Sequence, residues 1–436
     1  MKIEWVNHAS YIVHQDDISL ICDPWIGGSV FNNGWSLLAK TRFTFHDFAR
    51  ITHIWFSHEH PDHFSPPNIT SIPAAARQKI TILYQKTRDK KVVKFCQKLG
   101  FGDVIELPSF REFALGPNLS VWCGNVDSDS WLYTVGKGYR ILNLNDCVID
   151  SLRAVEDIKN STGPVDILLT QFSYAQFEGN RNDKGSRTRA AMRKLKQIEW
   201  EIEVLHPKFI IPFASFIWFS HEDNYYMNDR VNRIGDVYSY LSKGKKAEPI
   251  VMYPGDVWTL ANRHDSQSAI QKYADDYVKS NNADLTVPAK VEASMLIEEA
   301  ERFRRKAFKR QPKSYLRALQ PIRFFVTDLQ QAFQFSFRDG LMLDDVSPCE
   351  CDLGLRSDSL RYCLTFDWGF NTLHVNGCFE TYSAEGFSLF KTYGRVCNMM
   401  NHGVRMQSSL EQKLRKLVRK LPAFRNAKLG HRDGVS

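Results

Sequence analysis

Short runs of apolar and β-branched residues, separated by turn residues, recur along the first third of the chain. "YIVH" and "ISLICDP" flank the acidic pair Asp16–Asp17, which predicts a hairpin. Further strands are expected at "ITHIWFS", "ITILYQ", "LSVWCG", "WLYTV" and "YRILNLN", and "GKG" is expected to turn the last two into a second hairpin. Helical periodicity appears between strands at 88–100 and 186–205. This mixture of hairpins and helices predicts an α/β domain in which helices cover sheets.

The pattern changes after "YPGDVWTL" (253–260), where the β-rich runs stop. Residues 263–313 are polar, helical and rich in charge, and we interpret them as a helical connector after a metal-binding domain at 1–262. Residues 314–436 predict a smaller α+β domain with a hairpin at "DWGFNT" and a closing C-terminal helix. The segment "SDSLRYCLTFDWGFNTLHVNGCFE" faintly resembles the sterol carrier protein-like fold, for which a packing role is the preferred interpretation.

Composition places the chain among globular proteins with room for two or three domains. It has 436 residues, of which 43% are hydrophobic and 24% charged. The net charge of +8 is concentrated at 301–313 and 413–428, which we interpret as solvated helix faces. Aromatic residues are not interleaved with these basic runs as a stacking platform requires, so we expect no nucleic-acid partner.

The N-terminal residues and the cysteines bear on the compartment. "MKIEWVNHASYIVHQ" has no apolar core of a secretory signal, and no apolar run is long enough to span a membrane. The nine cysteines lie at irregular spacing without a CxxC pair, and the CxC at Cys349 and Cys351 is interpreted as two ordinary thiols. We therefore expect a cytoplasmic protein.

The segment "FSHEHPDHF" (56–64) concentrates side chains that bind metals. In the extended chain after a strand, His58 and His60 point to the same side, so both can reach one ion. Pro61 prevents a continuous helix, which excludes the helical HExxH zinc motif. Asp62 and His63 follow the bend and can face a second ion. Imidazole and carboxylate together suit zinc, iron or manganese, whereas a surface loop that is merely rich in histidine is the less favoured interpretation.

A site for two metals needs further ligands from distant parts of the chain. Asp146 follows the apolar strand "YRILNLN", and His221 ends the apolar run "FIIPFASFIWFSH". Each alone has an equally good structural interpretation, as a capping acid or a surface histidine.

The motif His58-Glu59-His60-Pro61-Asp62-His63 resembles the HxHxDH signature of the metallo-β-lactamase superfamily. "WVNHASYIVHQDDISLICDPW" also resembles the branch of that superfamily that includes N-acyl-phosphatidylethanolamine phospholipase D. "DPWIGGSVFNNGWSLL", "IWFSHEHPDHFSPPNI", "ILNLNDC" and "HPKFIIPFASFIWFSHEDNYY" are more similar still to the metal domain of CMP-N-acetylneuraminate hydroxylases, in the same order, over residues 1–260. The resemblance implies an αββα sandwich with a smaller C-terminal domain.

The resemblance also implies roles for individual residues. The first metal would be bound by His58 and His60, the second by Asp62, His63 and His221, and both by a bridging Asp146. Asp62 would also orient the attacking hydroxide, and His8 would lie at the pocket rim as a catalytic or supporting group. The superfamily supplies a third histidine to the first metal, but the corresponding stretch here is "CGNVDSDSW". Asn125 or Asp127 is the substitute that the sequence offers.

Three functions compete on this basis. A dinuclear zinc, iron or manganese site that activates water predicts a hydrolase acting on a small molecule. With iron, the alternative is an oxygenase acting on a nucleotide sugar or related metabolite. The chain has no paired Cys-x-His elements for an iron–sulfur cluster, so an external electron donor would be needed. A binding scaffold with a degenerate site is the third possibility.

A phosphate-bearing substrate would meet basic residues that follow "SYAQFEGN": Arg181, Lys184, Arg187 and Arg189.

Overall fold

The computed structural model describes residues 1–126 and 128–406. Asp127 and the C-terminal helix expected within 413–428 lie outside the described residues. Within the described chain, no helix combines the length and apolar character needed to cross a membrane. All nine cysteines are free thiols.

The chain divides into two compact units. The larger comprises Met1–Val287 with Val375–Gly377, and the smaller begins at Pro288. The segment interpreted as a connector therefore supplies one helix to each unit: Ser266–Asn281 to the larger and Ala293–Arg310 to the smaller.

The described residues of the larger unit form sixteen strands and seven α-helices. The strands are β1 (Lys2–Asn7), β2 (Ser10–Gln15), β3 (Ile18–Cys22), β4 (Trp35–Leu37), β5 (His53–Phe56), β6 (Thr81–Gln85), β7 (Asp103–Leu107), β8 (Phe113–Gly116), β9 (Leu119–Val126), β10 (Asp129–Gly136), β11 (Tyr139–Asn145), β12 (Ile167–Gln171), β13 (Phe209–Phe213), β14 (Ile217–Phe219), β15 (Glu248–Pro249) and β16 (Val257–Thr259). The helices are α1 (Pro66–Ser71), α2 (Ala74–Arg77), α3 (Lys91–Lys98), α4 (Leu152–Thr162), α5 (Lys184–Leu205), α6 (Ile234–Gly244) and α7 (Ser266–Asn281), with 3-10 helices at Phe45–Arg50 and Tyr225–Arg230.

Two seven-stranded sheets form the centre of this unit. Their strand orders are β16-β1-β2-β3-β5-β6-β7 and β15-β13-β12-β11-β10-β9-β8, and β14 pairs separately with β4. Strands β3, β5, β6 and β7 are parallel, as are β11, β12 and β13. Each parallel set brings several strand carboxyl ends to one edge of its sheet, where α/β proteins place their functional loops.

Side-chain alternation explains the layers. Tyr11 of β2 and Trp55 of β5 are fully buried in a core to which both sheets contribute. Ile12 and Ile54, which point the other way, pack with Val92 of α3 in a second core. Helices α4 and α5 pack with the second sheet. The order is helix, sheet, sheet, helix, which confirms the predicted αββα sandwich.

The predicted hairpins of the larger unit are confirmed. β2 and β3 pair antiparallel from Gln15 opposite Ile18, and β10 and β11 pair from Gly136 opposite Tyr139. The two expected helices correspond to α3 and α5.

The smaller unit contains a five-stranded sheet of order β19-β18-β17-β20-β21. Its strands are β17 (Ile322–Val326), β18 (Gln331–Ser336), β19 (Gly340–Asp344), β20 (Leu353–Leu355) and β21 (Glu380–Thr381). Its helices are α8 (Ala293–Arg310), α9 (Lys313–Arg317), α10 (Ser357–Thr365), α11 (Gly369–Asn376) and α12 (Ala384–Asn401), with a 3-10 helix at Pro348–Glu350. The resemblance to sterol carrier proteins stays a prediction.

The hairpin predicted at "DWGFNT" is wrong, because α11 begins at Gly369 within that segment. The Thr372 N–H donates to the carbonyl of Trp368 at 2.8 Å, as in a helical turn. Phe370 and Leu373, three residues apart, are both 2% exposed. Helical spacing of these apolar residues outweighs the turn propensity of Asp, Gly and Asn.

Candidate metal centre

The centre begins where β3 and β5 end side by side. Asp23 follows β3 in a left-handed conformation (φ 42°), and Ser57 follows β5. The Ser57 N–H and hydroxyl both donate to the Asp23 carboxylate at 2.7 Å. This pairing fixes the start of the histidine-rich loop against the neighbouring strand.

A tight turn folds the histidine-rich loop back on itself. The N–H groups of His63 and Phe64 donate to the carbonyl of His60 at 3.0 and 2.7 Å. His58 Nε2 and His60 Nδ1 lie 2.8 Å apart, as expected for two imidazoles on the same side of an extended segment. His63 is fully buried, and its Nδ1 lies 2.9 Å from the Asp23 carboxylate.

Asp146 lies between the two halves of the motif. It follows β11 directly after Asn145, which adopts a left-handed conformation (φ 44°). Asp146 Oδ2 is 3.8 Å from His58 Nε2 and 3.6 Å from His63 Nε2. This position between two imidazoles is the one that a bridging carboxylate requires.

Within the described residues, the side-chain atoms that could hold a metal ion form two groups that share His63. One group is His58, His63 and Asp146, and the other is His8, Asp62 and His63. Within each group the atoms lie within 4.8 Å of one another.

His8 lies within the cluster as a member of the second group. It precedes β2 with φ 30°, is 1% exposed, and its Nε2 is 3.2 Å from Asp62 Oδ2. A buried contact with a proposed ligand favours a role in positioning Asp62.

Asp129 joins the cluster, although sequence reasoning did not select it. It is the first residue of β10, and its Oδ1 is 3.8 Å from His58 Nε2. Asn125 is exposed, its amide N–H donates to Gln85 and its amide oxygen accepts from Ser109, so both polar atoms of this side chain have protein partners. Asp127, the other substitute offered by the sequence, is outside the described residues. The sequence signal that Asp129 carries is an acid at the first position of an apolar strand, "DSWLYTV", which does not by itself place it beside His58.

His221 is 1% exposed and belongs to neither group of ligating atoms in the described chain. Its Nδ1 accepts a hydrogen bond from the Asp223 N–H at 3.1 Å, and its own N–H donates to the Asn224 side chain at 3.0 Å. A metal-binding role for His221 therefore stays a prediction.

Burial and neighbouring charges shift the pKa values of these groups in different directions. Burial lowers the pKa of His58 and of His60, which favours the neutral imidazole that binds metals. Burial acts in the same direction on His63, but the charges of Asp62 and Asp146 outweigh it and raise the pKa of His63. Burial, followed by the charge of Asp146, raises the pKa of Asp129 to about 7.

Buried polar atoms provide a test of whether metal ions fit these residues. Among the described residues, Asp62 Oδ1, Asp146 Oδ1 and His63 Nε2 are buried and have no hydrogen-bond partner. Each such atom costs about 1–3 kcal/mol if left unsatisfied. Cations bound by these atoms would remove that cost and offset the repulsion between the carboxylates. The donor set therefore fits metal ions.

A cavity of about 370 Å³ opens beside the cluster, within the size range of small-molecule sites. Four residues of the cluster line this cavity: His60, Asp62, Asp129 and Asp146. Its other walls include the aromatic residues Phe31, Trp35, Tyr174 and Trp200 and the cationic residues Arg193, Lys194 and Lys196.

The four basic residues that the sequence offered for phosphate binding do not line this cavity. Arg187 is fully buried and makes a bidentate ion pair with Asp229 at 2.7 and 2.9 Å. Its guanidinium also donates to the carbonyls of Asn180 and Arg181. Arg187 is therefore a structural residue, and the cations that face the cavity lie farther along α5.

The αββα layers and the HxHxDH loop at the strand ends define a metallo-β-lactamase fold. Its candidate site is built from the histidine and carboxylate side chains that commonly bind metals. No protein-family model matches the chain. Cytidine monophosphate-N-acetylneuraminic acid hydroxylase from Mus musculus is 22% identical over 242 residues, covering 52% of this chain and 41% of the relative. A putative Rieske 2Fe-2S iron-sulfur protein from Mycolicibacterium smegmatis is 20% identical over 235 residues, covering 49% and 43%.

The chain thus spans less than half the length of these curated relatives. The similarity to CMP-N-acetylneuraminate hydroxylases that the sequence motifs indicated is confirmed.

Solved structures overlap with part of the chain. CmlA, a diiron β-hydroxylase from Streptomyces venezuelae, has a TM-score of 0.41 at 19% identity, covering 59% of this chain and 53% of that chain. A possible metal-dependent hydrolase from Veillonella parvula has a TM-score of 0.44 at 15% identity, covering 60% and 99%. Because these overlaps are partial, the fold assignment depends on the sheet order and layers described above.

Proposed function

We propose that this chain is a metal-dependent oxygenase that uses a carboxylate-rich pair of iron ions to hydroxylate a small molecule. The observation that carries the proposal is the position of Asp129, whose Oδ1 lies 3.8 Å from His58 Nε2 beside the histidine-rich loop. A carboxylate there makes the donor set richer in oxygen than the histidine pattern of the superfamily. Iron and manganese accept such mixed imidazole and carboxylate donors well.

The residues divide between two ions. His58, His60 and Asp129 would hold the first, Asp62 and His63 the second, and Asp146 both. When bound, an iron pair supplies the chemistry that activates dioxygen. The chain's own contribution is to hold neutral imidazoles at one end of the cavity and to fix His63 through its 2.9 Å contact with Asp23.

The curated relatives support this proposal, since the first of them is a hydroxylase by name. Oxygenation consumes electrons, so we propose a separate redox partner, such as a small iron–sulfur protein. The nine free thiols suit a reducing compartment, and we propose a cytoplasmic location.

A hydrolase that activates water with zinc is the second candidate. Asp62 favours it, because this carboxylate is 3% exposed, lies 3.3 Å from His63 and has an unpartnered Oδ1 among the described residues. That oxygen could orient a water molecule while the other binds metal.

Metal analysis separates the candidates. The protein is purified without added metal and analysed for iron, zinc and manganese, and the iron-enriched form is examined by Mössbauer spectroscopy. Oxygen uptake is measured with NADPH, a ferredoxin and its reductase. Two iron ions that are magnetically coupled, with uptake that depends on the electron donor, are expected. Stoichiometric zinc with no oxygen uptake would favour hydrolysis, and no bound metal would exclude both candidates.

The variant His60→Ala provides the control for this experiment. His60 lines the cavity and lies 2.8 Å from His58, so its loss should reduce metal content and oxygen uptake together. Full metal occupancy in His60→Ala would contradict the ligand assignment.

A further inference from the structure

Helix α5 carries a lysine on the face that it turns inward. Ala190, Lys194, Gln197 and Glu201 are spaced by four, three and four residues and share one helix face. Ala190, Gln197 and Glu201 are 1%, 7% and 0% exposed. Lys194 lies within this row and is half-buried, so it does not belong to the solvated face of the helix. Lysine rarely occupies such a position unless its ammonium group has a partner.

Lys194 lines the same cavity as His60 and Asp146. The other two cations of that wall have partners. Arg193 binds the Glu178 carboxylate at 2.9 Å, and Lys196 binds Glu199 at 2.8 Å.

No hydrogen bond or ion pair within the described chain engages Lys194 Nζ. The nearby Gln197 Nε2 donates to the Glu201 carboxyl at 3.1 Å and to the carbonyl of Cys147 at 3.4 Å. Burial lowers the pKa of Lys194, partly offset by the charges of Asp146 and Glu201. Among the described residues that line the cavity, Lys194 is therefore a half-buried cation with no direct hydrogen-bond or ion-pair partner.

We propose that Lys194 binds an anionic group of the substrate, a carboxylate or a phosphate, and so holds the substrate in the cavity beside the metal cluster. The proposal rests on the proposed function for its substrate, but the binding contact depends only on the cavity. An anion supplies the missing partner of the ammonium, and Trp35 and Tyr174 provide apolar surface for the rest of the molecule. Substrates that lack an anionic group leave Lys194 desolvated and unpaired, which selects against them.

The test uses two simple anions as probes. Metal-loaded protein is titrated with inorganic phosphate and, separately, with succinate, by isothermal titration calorimetry and by tryptophan fluorescence, since Trp35 and Trp200 line the cavity. At least one probe should bind. Lys194→Met should weaken that binding by about tenfold or more, because hydrogen bonds to charged groups contribute roughly 1.5–3 kcal/mol. Lys194→Arg should retain most of it. The probe that responds identifies the anion as phosphate or carboxylate.

Lys196→Met is the matched control, since Lys196 lines the same cavity but is paired with Glu199. It should bind the probes like the unmodified protein. Equal affinity of Lys194→Met and the unmodified protein would overturn the proposal, because binding would then depend on the metals alone. Binding of neither probe would overturn it too.

Metal content and thermal stability are measured for every variant, so a folding defect is recognised directly. Zinc in place of iron, combined with anion binding that depends on Lys194, would refute the proposed oxygenase while leaving the role of Lys194 intact. Magnetically coupled iron, combined with anion binding that does not depend on Lys194, would support the proposed oxygenase and refute the role of Lys194.

Discussion

The Asp129 carboxylate lies 3.8 Å from His58 Nε2. It reaches this position because Asp129 opens β10, whose partner β9 ends at Val126 directly opposite. Asn125, the residue nearest the expected histidine in the sequence, is instead bound to Gln85 and Ser109. Asp129 is therefore the acidic residue of this hairpin that lies beside His58.

Asp129→Asn should lower metal content, because the amide is a neutral and weaker ligand than the carboxylate. We expect loss of one of the two ions, measured by elemental analysis of protein purified without added metal. Asn125→Ala is the matched control on the same hairpin and should retain both ions, since Asn125 points towards Gln85. Equal metal content in Asp129→Asn and the unmodified protein would exclude Asp129 as a ligand.

The variant Asn125→His tests whether position 125, and not position 129, faces the first metal. If Asn125 occupied the ligand position, a histidine there would tighten metal binding. We expect no change in metal affinity, measured by competition with a chelator, because the Asn125 side chain is exposed and its polar atoms are bound to Gln85 and Ser109.

The local parts of the centre could be predicted from the sequence, whereas the parts that depend on strand pairing could not. His58, His60, Asp62 and His63 lie in one short loop, so their proximity follows from sequence distance alone. Asp146 could be selected because it ends an apolar strand. Asp129 was missed because its position depends on the register of β9 against β10, which the residue pattern does not determine.

Asp23→Asn should weaken metal binding although Asp23 is not a proposed ligand. Its buried carboxylate contacts His63 Nδ1 at 2.9 Å and holds Ser57 through two hydrogen bonds. Carboxylates that orient a metal-binding histidine typically contribute 10–100-fold in affinity. We expect a loss of metal affinity of about that size, measured by competition with a chelator.

Asp17→Asn, in the exposed hairpin turn, is the control and should not change the metal affinity. Unchanged affinity in Asp23→Asn would show that the turn alone positions His63.

Asp229→Ala should destabilise the protein without changing its metal content. It would leave the fully buried Arg187 guanidinium without its bidentate partner. Breaking a buried ion pair on one side costs about 3–5 kcal/mol, and the partial exposure of Asp229 places the expected loss near 3 kcal/mol. The measurement is the free energy of unfolding in urea.

The control is Glu178→Ala, which breaks the exposed pair with Arg193 and should cost at most about 1 kcal/mol. A similar loss in both variants would contradict the structural role of Arg187.

Glu201→Gln should stabilise the protein above neutral pH. Glu201 is fully buried, its Oε1 accepts a hydrogen bond from Gln197 at 3.1 Å, and burial raises its pKa from 4.5 to about 7. Between these two values the folded state keeps a proton that the unfolded state releases, so stability is greatest below pH 4.5 and falls as the pH rises towards 7. The glutamine cannot ionise and removes this loss. We expect a gain of roughly 3 kcal/mol in the free energy of unfolding at pH 8 that shrinks to almost none below pH 4.5, measured in urea. Glu199→Gln, on the same helix but paired with Lys196 and Tyr240, should show no such gain at pH 8. An equal pH dependence of stability in Glu201→Gln and the unmodified protein would mean that Glu201 is ionised in the folded state at neutral pH.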